Sequence, residues 1–142
     1  MSFSLIRFNL IDPSLNPETL SSRYKAMLEM AEFADKNGFF MATFEEHHGA
    51  DNAWSPTPLI NAATVLARTT NLSASISALL FPLHDPIRVA EDIAVIDLMS
   101  GGRLNVIFGL GYRPSEYQLM GKSWEKRGQL MDESLQTLLN AW

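Results

Sequence analysis

Two carboxylates and two imidazoles stand in a row at Glu45-Glu46-His47-His48, with Gly49 after them. A carboxylate beside an imidazole is a pairing suited to proton transfer. Imidazole titrates near neutral pH, and an adjacent carboxylate can raise its pKa or fix its tautomer. Position matters as much as residue type. The apolar run at residues 39–42 reads as a buried strand, so the cluster falls where a strand ends and a loop begins. In parallel α/β proteins that end of the strand carries ligands and chemistry. Glu46 and His47 are therefore the candidate catalytic pair. The plainer reading of two adjacent histidines is a solvated loop, and His48 fits a structural or subunit-contact role.

The elements that must position this cluster alternate strand and helix. Residues 3–10 predict a strand. Asn16-Pro17-Glu18 then starts a helix: Asn caps, Pro fits the first turn, and Glu favours the positive end of the dipole. Asn37-Gly38 stops it. Residues 39–44 predict the second strand, followed by a loop over 45–55 that is long for a βα connection. Ser55-Pro56 opens a helix running to about residue 70. Residues 72–80 alternate cleanly, with Leu72, Ala74, Ile76, Ala78 and Leu80 on one face and Ser73, Ser75 and Ser77 on the other. Asp85-Pro86 starts a third helix that ends at Ser100-Gly101-Gly102. Residues 104–109 form a fourth strand, a loop follows, and residues 127–142 carry a fourth helical stripe. Four βα units in a row predict a parallel sheet, either doubly wound or a barrel. A closed barrel takes about 250 residues, so this chain of 142 residues supplies about half of one. The apolar Trp142, inside a helical pattern and without a cap, points to a fragment or to a half-barrel completed by association.

Composition removes several classes. The chain is 46% hydrophobic and 19% charged, a globular balance without signs of disorder. Its net charge of −5 argues against nucleic acid or an anionic membrane as partner. With no cysteine, disulfides, thiolate metal sites and thiol nucleophiles are excluded. No apolar run reaches the ~20 residues of a membrane helix, and no export signal stands at the N-terminus. A cytoplasmic protein is the expectation.

Several motifs fail. Gly109-Leu110-Gly111 hints at a dinucleotide loop, but Pro114 stands where the third glycine belongs. Gly121-Lys122-Ser123 resembles the end of a phosphate-binding loop, but Glu116 occupies the position of its first glycine. His47 and His48 are adjacent rather than four apart, so they cannot present one helix face to zinc, and no metal site is expected. No serine elbow exists.

Three segments survive together: Glu46-His47-His48; Phe81-Pro82-Leu83-His84-Asp85-Pro86 running on to Asp92; and Ile96-Asp97-Leu98-Met99-Ser100-Gly101-Gly102-Arg103. In this order and spacing the chain resembles the N-terminal half of the bacterial luciferase-like flavin monooxygenases. It is also similar to their relatives that use a deazaflavin coenzyme. The resemblance runs from the first strand to Trp142 and implies a (β/α)8 TIM-type barrel of which residues 1–142 are the first four units, a single partial domain. It implies reduced FMN at the C-terminal ends of the strands, with oxygen and a small organic substrate as reactants. A separate flavin reductase is a further expectation of the same resemblance, and open, apolar sheet edges make a homodimer the expected assembly. The flavin carries the difficult chemistry, and the protein orients, manages protons and excludes water. Glu46 and His47 match the family's strand-end acid and histidine. Ser77-Ala78 matches a pair often joined by a non-prolyl cis peptide beneath the flavin ring. A flat ring needs small side chains beneath it, which the serine face supplies; Gly109 falls in the same region. Some relatives place an arginine after the fourth strand to hold the flavin phosphate. This chain has Leu110 there, with Arg113 nearby.

Two rivals to flavin monooxygenation remain open. One is deazaflavin-dependent hydride transfer. The other is a non-catalytic half-barrel that dimerises through its sheet edges. The remaining chemistry-bearing residues have plainer readings. His84 reads as a helix-start residue. Glu91 and Asp97 fall on or near the apolar face of the third helix and read as ion-pair partners of Arg88 or Arg103. Trp54, Trp124 and Trp142 read as core or interface packing, and Arg127 as a residue serving its own helix.

Overall fold

Four strands pair in parallel and in sequence order: β1 (Leu5–Phe8), β2 (Met41–Phe44), β3 (Ser73–Leu80) and β4 (Leu104–Gly109). The computed structural model describes residues 3–142. The crossovers are α1 (Pro17–Lys36), α2 (Pro58–Arg68) and α3 (Pro86–Ser100). After β4 come a short helix, α4 (Pro114–Leu119), and a longer one, α5 (Arg127–Ala141).

Local chemistry sets the helix ends. The Asn16 side chain accepts from the backbone N–H groups of Glu18 and Thr19, with Pro17 in the first turn. Asp85 does the same for α3 through Arg88 N–H at 2.9 Å, and Gly101 closes that helix at φ +69°. The second helix begins later than the sequence predicts, at Pro58. The backbone of Ser55 is committed elsewhere: its N–H bonds Asn9 O at 3.1 Å and its carbonyl accepts His47 N–H at 3.0 Å. The first strand is also shorter than expected, because Leu10 turns the chain with φ +59°.

The core lies between the sheet and one layer of helices. Phe44, Ile76 and Leu79 from the strands meet Met27 of α1, Val65 of α2, Ile93 of α3 and Leu138 of α5. The opposite face carries no helix among the described residues, and Leu5 and Ile107 stand 59% and 50% exposed on it. A doubly wound sheet would be covered on both faces, so the one-sided cover fits the wall of a barrel. Both sheet edges, β1 and β4, lack a further strand among the described residues.

The expected alternation of β3 fails halfway. Ser77 pairs with Ile107, but the next partners are Leu79 and Phe108, so Ala78 is an extra, unpaired residue. One inserted residue inverts every face after it. Leu79 takes the core position, while Ala78 joins Ser77 on the open face. The Ser77–Ala78 peptide is cis, as the resemblance implied.

Arg103 also departs from expectation. Instead of pairing with Asp97, it donates to the carbonyls of Ser100, Leu72 and Leu66 at 2.8, 2.9 and 2.8 Å. It thereby ties the end of α3 to the end of α2. Glu91 is exposed beside Arg88, not buried.

Candidate active site

The open face ends in a cleft of about 410 Å³ at the C-terminal ends of the strands. Its floor is Ser77, Ala78 and Gly109, with no side chain longer than a hydroxymethyl. Gly109 is required there, since a Cβ at that position would lie 2.8 Å from the Ala78 Cβ. Glu46, His47 and Trp54 line the same cleft, with Arg7, Leu110 and Tyr112. All five candidate residues, Glu46, His47, Ser77, Ala78 and Gly109, therefore come together. The size and the flat, low floor fit a planar tricyclic ring.

The expected Glu46–His47 pair does not form. At a strand end successive side chains diverge, and each residue finds a different partner. His47 Nδ1 lies 2.9 Å from Glu116 Oε1, which also accepts the His48 backbone N–H at 3.1 Å. Glu116 is 1% exposed and sits on α4. A carboxylate only accepts, so His47 donates from Nδ1 to Glu116 and Nε2 is turned away from that contact. Nε2 stands 3.5 Å from the Tyr112 hydroxyl, on the cleft wall. The Trp54 ring packs on the His47 ring, with centroids 4.1 Å apart. Trp54 is fixed in turn by its indole N–H to Glu45 Oε2 at 3.0 Å, and Glu45 pairs with Arg7. Trp54 is thus cleft wall rather than simple packing.

Glu46 turns away from His47 and is 2% exposed. Its Oε1 receives His48 Nε2 at 2.7 Å and His84 Nε2 at 2.6 Å, while Oε2 accepts the Leu80 N–H at 2.6 Å. Burial pushes its pKa up. The hydrogen bonds from His48 and His84, the charge of His84 and the Leu80 N–H together outweigh burial, and the net shift is below the ordinary glutamate value. His84 is therefore a partner of the strand-end acid, not only a helix-start residue.

Sequence reasoning missed Glu116, because residues 112–126 read as loop. A signal was present: Pro114 with a glutamate two residues on is a helix start. Tyr117, fully buried, donates its hydroxyl to Leu110 O at 2.5 Å and holds α4 against the end of β4. The Arg113 guanidinium lies over the rings of Trp54 and Tyr112, 5.3 and 5.5 Å from their centroids.

A parallel sheet in sequence order, covered by helices on one face and with its cleft at the strand ends, defines the class: part of the wall of an α/β barrel. The chain belongs to the luciferase-like monooxygenase family, whose model matches residues 1–142. It is 28% identical over 144 residues to the oxygenase component of the flavin-dependent trigonelline monooxygenase of Acinetobacter baylyi, covering all of this chain and 39% of that protein. A monooxygenase from Streptomyces bottropensis superposes with a TM-score of 0.86 at 28% identity, covering 97% of this chain and 42% of the other. The oxygenating constituent of 3,6-diketocamphane monooxygenase from Pseudomonas putida, solved with FMN, shares the fold with a TM-score of 0.85 at 19% identity, over 97% and 38% of the two chains. The chain spans about two fifths of the length of these relatives. Among the described residues no helix is long and apolar enough to cross a membrane.

Proposed function

We propose that residues 1–142 form the first four units of a cytoplasmic, flavin-dependent monooxygenase. Its reactants are reduced FMN, oxygen and a small organic substrate, its electrons come from a separate flavin reductase, and it works as a homodimer. The observation that carries this reading is that His47 and the Ser77–Ala78–Gly109 floor share one open cleft. Family membership and the named relatives support it.

Reduced FMN, when bound, supplies the activation of oxygen. The residues here do the rest. Ser77, Ala78 and Gly109 would give the ring a flat bed. His47 moves a proton at Nε2, with Glu116 holding its tautomer and Trp54 its ring plane. Glu46 is a positioning residue: it fixes the loop that carries His47 to the end of β3. Arg113, held over two cleft-lining rings, comes after Leu110 in the chain, and Leu110 stands at the position of the missing arginine.

The test is anaerobic titration with reduced FMN followed by oxygen uptake, run in parallel with a reduced deazaflavin. Saturable FMN binding, blocked by Ser77→Trp, with substrate-dependent oxygen uptake agrees with the proposal. Turnover only with the deazaflavin moves the protein to hydride transfer. A colourless dimer that binds neither coenzyme makes it the non-catalytic half-barrel.

A further inference from the structure

Behind the Glu46 carboxylate lies a second cleft of about 320 Å³, between the starts of α2 and α3, and both His48 and His84 open onto it. One carboxylate oxygen and two imidazole nitrogens converge there. Glu46 Oε1, His48 Nε2 and His84 Nε2 lie within 4.8 Å of one another. They come from three places: the end of β2, the loop after it and the start of α3. We propose that Glu46, His48 and His84 form a binding site for one divalent first-row metal ion, with Zn²⁺ or Co²⁺ as the best match.

Two imidazoles and a carboxylate are a donor set that such ions take in three-ligand sites, leaving one position for water. The present spacings of 2.6 and 2.7 Å are those of hydrogen bonds. Tetrahedral ligands at about 2.0–2.1 Å from an ion stand roughly 3.3 Å apart, so each imidazole must retreat by about 0.6 Å. His84 has room to do so, with its side chain 26% exposed at the start of α3. Glu46 is held from the other side by the Leu80 N–H on Oε2, which keeps Oε1 aimed at the two rings. The cleft supplies the path for the ion and the space for its water. Asp85 and Asp92 on the cleft wall add negative charge, and Arg88 is engaged with Asp92 at 3.1 Å. Coordination would exchange two hydrogen bonds for a clamp joining β2, its loop and α3.

The chain has three histidines and no cysteine, so the assignment is clean to test. The untagged 142-residue chain is titrated with Co²⁺ and its visible d–d absorption recorded, then with Zn²⁺ by calorimetry. One equivalent should bind, with the intense visible bands of a low-coordinate ion. His84→Ala should weaken binding at least tenfold. His48→Gln should do the same, and His47→Gln should bind as the parent chain does. No saturable binding up to millimolar metal, or binding unchanged in both His84→Ala and His48→Gln, overturns the proposal. Since neither flavin nor activity is read, failure here leaves the proposed oxygenase chemistry standing.

Discussion

His47 and His48 are neighbours in the chain and belong to different machines. His47 faces the flat-floored cleft, and its inner nitrogen is held by Glu116 from a helix 69 residues away. His48 faces the opposite way, to Glu46, and shares that carboxylate with His84. In the loop after β2 the two side chains point to opposite sides, one to each cleft. The first pair leaves an imidazole nitrogen open to a ligand. The second closes on itself and fastens the loop. The acid that matters to a strand-end histidine need not be the acid beside it.

Removing His47 should have the largest effect. His47→Ala should cost about 1–3 kcal/mol of stability from the buried bond to Glu116, and it should lower oxygenation of substrate by about 10²–10⁴-fold. A loss of the same size from His48→Ala would erase the distinction. Next is Glu116→Gln, which keeps the shape of the pair and removes its negative charge. Turnover should fall by about 10²-fold, with a displaced pH profile for kcat, a readout that a purely packing role for Glu116 would not move.

Glu46→Gln should act on stability instead. It leaves one of the converging donors without a full acceptor deep in the protein, at a cost of about 1–3 kcal/mol by denaturant unfolding. Activity should change far less than in the His47 variant. The smallest effect belongs to Asp35, which accepts the backbone N–H groups of Thr70, Asn71 and Leu72 at 3.0, 2.7 and 2.6 Å. Burial raises its pKa, but these three bonds and the charge of Arg103 win, and the net shift is downward. A lowered folded-state pKa means the stabilisation is present above the unfolded value, about 3.9, and is lost as pH falls through the folded one. Asp35→Asn should therefore flatten the acid limb of the stability curve below about pH 4. At pH 7 it should cost under about 1 kcal/mol, the carboxylate being well solvated.

Much of the architecture was legible in the residues themselves. The caps at Asn16 and Asp85, the period-two run of β3 and the four βα repeats each have a local cause, so a local reading finds them. The candidate cleft residues were placed by strand-end position together with family likeness. Two things escaped. The face of Ala78 depends on an unpaired residue that pairing with β4 creates, and no pattern within β3 alone contains it. The partners of His47 and Glu46 lie 69 and 38 residues downstream, brought in by α4 and by the start of α3. Spacing in sequence carries no record of such meetings; only the assembled end of the barrel wall does.

The most direct measurement is a crystal structure of the protein soaked anaerobically with reduced FMN. The isoalloxazine ring should lie against the Ser77–Ala78 peptide and Gly109, with His47 Nε2 facing it. Flavin bound elsewhere, such as in the groove between α3 and β4 beside Trp142, would contradict this placement.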